Sequence, residues 1–224
     1  GRPMLELRNV TYRSAKKQIL SNVSFSLQKQ ESLGIIGRSG SGKTSIANVI
    51  LGLARCGAGT VLLDKKPVRT GYKRLELAKK VQLVTQNPET SFDPDWSVGS
   101  SFREVLAVHK LLNKDTAGEE IMLPLLEEVG LNGTDLNKPP RYFSGGELQR
   151  LSIVRALLVS PEIMIFDEAD SMLDTALRIR LFDTLNELRR KYQLSVIYIT
   201  HDPRVLPYLV EQIPVIAVSY PHLT

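Results

Sequence analysis

Apolar and polar positions follow different rhythms along the chain. From Met4 to Tyr12, Leu5, Leu7 and Val10 are set against Glu6, Arg8 and Asn9, and Ile19-Leu20 and Val23 to Leu27 are further short apolar stretches. These predict strands of an antiparallel edge layer. Ser32 to Ile36, Val81 to Thr85 and Ser195 to Ile199 predict buried strands, and Ile163 to Phe166 is a continuous apolar run that suits a central parallel strand. Gly59 to Leu63 and Ile213 to Val218 predict two more short strands. Helical spacing appears from Lys43 to Leu53, with Ile46, Val49, Ile50 and Leu53 in one stripe. It returns at Leu75 to Lys80, Ser100 to Leu112, Thr116 to Val129, and from Ser144 to about Val159. Ala176 to Tyr192 sets Leu177, Leu181, Leu185, Leu188 and Tyr192 on one face.

Strand and helix alternate except between residues 87 and 160, where helices follow one another. The expected organisation is therefore an α/β core made of residues 1–86 and 161–224, with an antiparallel β layer near its start. Residues 87–160 form an inserted helical subdomain, left through the rigid Pro139-Pro140 link.

Three stretches carry chemistry. Gly37 to Thr44 fits G-x-x-x-x-G-K-S/T, between a predicted strand and a predicted helix. Glycines there let the backbone bring N–H groups against a polyphosphate, and the helix N-terminus adds partial positive charge. Gly37, Arg38, Ser39, Gly40, Ser41, Gly42, Lys43, Thr44 and Ser45 are the candidate nucleotide-binding residues, with Lys43 reaching the β- and γ-phosphates and the Thr44 hydroxyl on Mg²⁺. Asp167-Glu168 ends the apolar run, where Asp167 suits Mg²⁺ directly or through water and Glu168 suits polarisation of an attacking water. Phe143 to Arg150 opens a helix through Ser144 and Glu147 at capping-box spacing. Gly145 and Gly146 in that first turn are poor helix formers, so the stretch is either a clumsy helix start or, with Ser144, a second anion cradle.

Three single residues carry open alternatives. Gln86 ends a strand, where its amide suits a water or Mg²⁺, and Pro88 and Pro94 mark a loop beyond it. His201 follows another strand, where it is either structural or a hydrogen-bond donor to a γ-phosphate. Tyr12 either packs on its neighbours or offers a platform for an adenine ring; taken alone, packing is favoured.

Bulk properties narrow the class. The 224 residues are 42% hydrophobic and 24% charged, an ordinary globular composition, and no apolar run approaches the roughly 20 residues of a membrane span. The single Cys56 excludes an internal disulfide framework and suits a reducing compartment. No signal peptide precedes Met4, and Gly1-Arg2-Pro3 reads as a remnant ahead of it. A net charge of +5 suits an anionic membrane surface, nucleic acid, or simply a basic solvated face.

In order and spacing these motifs resemble those of the ATP-binding subunits of ABC transporters, over essentially the whole chain. Gly37 to Thr44 resembles Walker A, Gln86 the Q-loop glutamine, and Phe143 to Arg150 the family signature, with phenylalanine where leucine is usual. Ile163 to Glu168 resembles Walker B with the catalytic glutamate, Ser171 to Asp174 the D-loop, His201 the switch histidine and Tyr12 the adenine-stacking aromatic. Gln86-Asn87-Pro88, Ser91-Phe92-Asp93-Pro94 and Lys138-Pro139-Pro140 are similar to the nickel and oligopeptide importer branch. Ala169-Asp170 stands where Pro-Thr is commoner, which makes the subunit contact at Asp170 and Met172 unusual. The chain stops soon after Val218, where relatives of this branch continue, so its end is either truncated or diverged.

The resemblance implies a P-loop NTPase (RecA-like) core of ABC ATPase fold, an ATPase that uses ATP and Mg²⁺, with Gln86, Glu168 and His201 as catalytic residues and Thr44, Gln86 and Asp167 at the metal. It implies a second ATP-binding subunit, identical or homologous, with Ser144, Gly145 and Gly146 of one chain facing ATP on the other. Two membrane permease subunits follow, coupled through the segment from Gln86 to about Arg103, with a solute-binding protein reached only indirectly. The place implied is the cytoplasmic face of a prokaryotic plasma membrane. No direct nucleic-acid contact is expected; the alternative is a soluble ABC ATPase acting on nucleic acid or the ribosome.

Overall fold

The computed structural model describes residues 2–14, 17–37, 43–113, 115, 117–209 and 215–217, with backbone alone at 14, 17–19, 43–45, 206, 209 and 215–217. In chain order its longer elements are β1 (Leu5–Ser14), β2 (Lys17–Leu27), β3 (Ser32–Ile36), α1 (Lys43–Ile50), β4 (Ala58–Leu63), β5 (Lys66–Pro67), α2 (Arg74–Lys80), β6 (Val81–Thr85), α3 (Val98–Val108), α4 (Glu119–Glu128), α5 (Gly145–Leu157), β7 (Ile163–Asp167), α6 (Thr175–Tyr192), β8 (Ser195–Thr200) and β9 (Val215–Ala217).

The antiparallel layer has the order β2-β1-β4-β5. The two apolar stretches expected after Tyr12 are one continuous strand, because the polar Ser21-Asn22 step is absorbed rather than ending the pairing. Asn22 sits at φ 50° and donates its N–H to Thr11 Oγ1 at 3.2 Å. Asn9 of β1 sits at φ 51° and donates to Ser24 Oγ at 2.8 Å, next to a register shift between Leu7 and Val10. Asparagine tolerates this left-handed backbone, so each irregularity kinks the ladder without breaking it. Gly59 faces the same kink at φ +84°, where a Cβ would lie 2.2 Å from the Asn9 carbonyl oxygen, so only glycine fits.

The parallel sheet has the order β6-β7-β8-β3-β9. Every residue of β7 and β8 is buried, and their side chains alternate between two cores. Ile163, Ile165, Ile197 and Ile199 pack with Ile46, Val49 and Ile50 of α1 and with Leu5, Leu7 and Leu63 of the antiparallel layer. Met164, Phe166, Val196 and Tyr198 pack on the opposite face with apolar residues of α3 to α6. A sheet covered on both faces needs apolar residues at both parities, which is why the run from Ile163 to Phe166 does not alternate.

Helix ends fall where local chemistry puts them, within a few residues of the expected bounds: α2, α3 and α6 begin one or two residues earlier than expected, and α1, α3 and α4 end earlier. α1 stops at Ile50 because Gly52 turns left-handed at φ +71°, and Leu53, expected in the buried stripe, is 53% exposed beyond it. α3 begins after Ser97, whose Oγ accepts the Ser100 N–H at 3.1 Å, and Lys110 at φ 56° follows its end. α4 begins after Gly118 at φ +89°, not at Thr116. The apolar core of α3 and α4, which includes Phe92, Phe102, Leu106, Met122 and Leu126, is continuous with the α5 and α6 face of the sheet. Among the described residues no helix is long and apolar enough to cross a membrane.

Candidate active site

Four strand ends build the site. Thr85 pairs with Asp167, Asp167 with Ile199, and Ile36 with Thr200, so the residues that follow, Gln86, Glu168, His201 and Gly37, line one edge of the parallel sheet. Ligands of open α/β sheets bind along this edge. The Gly37 N–H donates to the Thr200 carbonyl at 3.1 Å and fixes the start of the glycine loop on β8. Arg38, Ser39, Gly40, Ser41 and Gly42 lie outside the described residues. Lys43, Thr44 and Ser45 form the first turn of α1, whose N-terminal N–H groups and dipole suit an anion.

Asp167 is the buried last residue of β7. Glu168 turns left-handed at φ 51° and donates its N–H to the Ile199 carbonyl at 2.9 Å, which crosses the chain over to β8. Its Oε1 accepts the His201 backbone N–H at 3.2 Å and also contacts Nδ1 of the His201 ring. The Glu168 side chain is 13% exposed and the His201 side chain 47%. A non-glycine residue held at positive φ costs about 1–3 kcal/mol, a strain found where the surroundings over-determine the backbone. Gln86 Oε1 accepts the Ser171 Oγ hydrogen at 2.8 Å. Asp167 and Gln86 thus present hard oxygen donors on adjacent strand ends. Among the described residues no three His, Cys, Asp or Glu side chains cluster as a metal cage. Such a donor set fits Mg²⁺, which takes one or two carboxylates and completes its shell with water and phosphate oxygens.

Asp170, at the position where the resemblance makes a subunit contact unusual, has partners in its own chain. Its carboxylate turns inward, 4% exposed, to the Arg178 Nε at 2.8 Å and the Tyr198 hydroxyl. The outward residue of that turn is Met172, at 72% exposure. The aspartate is therefore committed within its own chain.

Ser144 and Glu147 form the expected capping box, with the Glu147 N–H on Ser144 Oγ at 3.2 Å and the Ser144 N–H on Glu147 Oε1 at 3.0 Å. The Ser144 backbone N–H, and less so the Ser144 hydroxyl, hold the Glu147 carboxyl below its ordinary range. The two glycines that follow have no fold-based reason. Neither has a positive φ. A Cβ on Gly145 would meet nothing within 4 Å, and one on Gly146 would make ordinary contact with Leu177 at 3.5 Å. Bare glycines here fit close approach by something outside the chain.

Gln149, one turn further along α5, was not singled out by the sequence. Its buried Nε2 donates to the Thr85 carbonyl at 3.0 Å and the Ala169 carbonyl at 2.8 Å, tying α5 to the ends of β6 and β7. A glutamine on the buried stripe of a helix was the available signal. Tyr12 is half-buried on β1, paired with Leu20 and packed against the core beneath the antiparallel layer. It and the Ser144–Gly146 turn stand on other elements than the cluster of Gln86, Asp167, Glu168 and His201.

The family described as ABC transporter matches residues 20–171. The chain is 35% identical over 209 residues to the oligopeptide transport ATP-binding protein OppF of Bacillus subtilis (strain 168), covering 92% of this chain and 68% of that protein. It is 34% identical over 214 residues to the nickel import system ATP-binding protein NikE of Staphylococcus aureus (strain N315), covering 95% and 86%. Among solved structures, cbiO1 from Clostridium perfringens, part of the ABC transporter complex cbiONQ, aligns over 98% of this chain and 86% of that one. The TM-score is 0.84 at 22% identity, a likeness of fold.

Proposed function

The chain belongs to the ABC transporter family and is an ATPase of that family, and we propose that it drives a membrane importer of nickel, metal chelates or oligopeptides. The observation that carries this reading is the Glu168 carboxylate, held by His201 at the end of β7 beside Asp167 and one strand away from Gln86. In this reading the ATP phosphates lie at the N-terminus of α1, against Lys43 and the glycine loop, and Tyr12 stacks on the adenine. Thr44, Asp167 and Gln86 hold Mg²⁺, which when bound neutralises charge on the β- and γ-phosphates. Glu168 orients the attacking water and takes its proton. Nδ1 of His201 is taken up by Glu168, so contact with the γ-phosphate falls to Nε2.

The glycines of α5 complete the site of a second ATP-binding subunit, and ATP closes the pair. Closure reaches two permease subunits through the segment from Gln86 to Arg103, where Trp96 is exposed. The helical stretch 87–160 moves as a subdomain against the core. The assembly sits at the cytoplasmic face of the plasma membrane.

Glu168→Gln tests the reaction centre. It keeps size and hydrogen bonding, removes the charge that accepts a proton, and should lower turnover by roughly 10²–10⁴-fold with ATP and Mg²⁺ binding intact. The ATP-loaded dimer should accumulate, because opening follows hydrolysis. Undiminished turnover in this variant would exclude Glu168 as the base. ATPase stimulation in the assembled transporter, screened with nickel, nickel chelates and peptides, tests the cargo.

A further inference from the structure

The hydrolytic pair stands on two turns, one after β7 and one after β8, and a single buried carboxylate joins them. Within the first turn, the Ser171 N–H donates to the Glu168 carbonyl and the Leu173 N–H to the Asp170 carbonyl, both at 3.0 Å. Fixing Asp170 therefore fixes the backbone that carries Glu168. The Asp170 carboxylate receives the Tyr198 hydroxyl from β8 and the Arg178 Nε from α6. The same Arg178 guanidinium lies 3.9 Å from an oxygen of Asp202. Asp202 is held on its other side by Arg204 at 2.9 and 3.0 Å, and its N–H donates to Thr200 Oγ1 at 3.0 Å. His201 is thus bracketed between Thr200 and Asp202, and Tyr198 lies three residues before it on the same strand.

This arrangement has no obvious purpose as packing. Tyr198 is fully buried between Phe166, stacked at 5.9 Å, and Phe182, edge-on at 5.6 Å. An aromatic ring without a hydroxyl would fill that space, and no buried acceptor would then be needed. Buried ion pairs contribute little net stability compared with apolar residues of similar volume, because desolvation offsets their attraction. What a bridged aspartate offers instead is directional constraint between two turns.

We propose that Asp170, acting through Tyr198 and Arg178, is a positioning residue that holds the Glu168 turn and the His201 turn in register for the hydrolytic step. The proposal rests on the reading of Glu168 and His201 as the reacting pair. The Asp170 carboxylate is turned inward to Arg178 and Tyr198, so its part is to fix the separation of the reacting groups. The groups read as gripping the adenine and the β-phosphate, Tyr12, the glycine loop and Lys43, stand on other elements, so loosening this bridge should leave most of the ATP binding and slow the chemical step.

The test is the paired variant Asp170→Asn with Arg178→Gln, which neutralises both partners together and leaves no lone buried charge. Purified full chain is assayed for Mg-ATP hydrolysis under steady-state and single-turnover conditions, with melting temperature measured alongside. The chemical step should slow by about ten-fold or more while KM and melting temperature stay near those of the unaltered protein, as expected when reacting groups are misplaced by a fraction of an ångström. In a His201→Ala background the same pair should change the single-turnover rate by less than about two-fold, because the partner it positions is gone. Tyr198→Phe, which keeps the stacked ring, should reduce the rate by about two- to five-fold for the same reason and decides the matter if the paired variant does not fold. Unchanged rates in these variants, or equal losses with and without His201, would overturn the proposal. If Glu168→Gln and His201→Ala themselves keep full turnover, the reaction centre is misassigned. If they abolish it while the bridge variants are normal, only this inference falls.

Discussion

The end of the parallel sheet and the start of α5 are built on opposite plans. At the sheet end candidate side chains are already engaged by their own chain: Glu168 with His201, Gln86 with Ser171, Asp170 with Arg178 and Tyr198. At the start of α5 the polar bonds stay within one helical turn, between Ser144 and Glu147, and the next two residues are glycines that the fold does not require. Side chains that serve a ligand bound by their own chain need positioning from that chain. A surface completed by another molecule needs only to be bare and correctly shaped. Gln149 is the strut between the two plans, with its amide on the carbonyls of Thr85 and Ala169.

The largest test of that contrast is Gly146→Asp. If the start of α5 faces a phosphate held by a partner subunit, a carboxylate there opposes the developing negative charge. Hydrolysis should fall by at least the roughly 10²–10³-fold that follows loss of one preorganised donor at such a charge. Nucleotide binding by isolated chains should be unaffected, because the cradle belongs to the other site. Equal loss of binding by monomers, measured by nucleotide titration, would place the glycines in the chain's own site and erase the contrast.

Gln149→Leu comes next, and it acts on the strut itself. The change keeps volume but strands two carbonyls beneath α5, which should cost about 1–3 kcal/mol. For a domain of this size that is a fall of roughly 2–4 °C in melting temperature per kcal/mol. Thermal melts check it, and an unchanged melt would mean that water replaces the amide. Ser144→Ala is smaller still. Loss of the cap should cost about 1 kcal/mol and should remove only the hydroxyl's smaller share of the pull on Glu147, because the Ser144 backbone N–H stays on its carboxylate.

Much of the fold was legible because the signals were local. The glycine spacing of the phosphate loop, the apolar run ending in Asp167-Glu168 and the Ser144–Glu147 box all depend on neighbours within a turn or a strand. What escaped the sequence was decided at a distance. Whether Ser21-Asn22 ends a strand or bulges depends on Thr11 across the ladder. Gln149 finds its partner at Thr85, 64 residues away, which nothing in a helical stripe specifies. The D-loop resemblance said of Asp170 only that it makes a subunit contact unusual; the direction of its side chain is set by the left-handed Glu168 and by where Arg178 emerges one helix later. The Tyr198 hydroxyl, buried within β8, was a local hint that a buried acceptor waited nearby.

The smallest effect is expected at low pH, and it separates the two regions by titration. Paired with Arg204, and more weakly with Arg178, the Asp202 carboxyl is pulled from its ordinary 3.8 down to about 2. A carboxyl whose folded value is depressed gives up its proton more readily in the folded state, so its contribution to stability is fully present above the unfolded value. That contribution should fade as the pH falls from about 3.8 toward 2, the window in which the unfolded chain takes up the proton first. Arg204 is 88% exposed, so salt screens the pair and the slope should flatten as ionic strength rises. Asp202→Asn should remove this part of the acid limb and leave the part due to Glu147, whereas Glu147→Gln should do the reverse. Chemical unfolding of the three proteins between pH 2 and 5, at low and at high salt, resolves the two. An Asp202→Asn curve that overlays that of the unaltered chain at low salt would mean that Arg204 points into solvent on average.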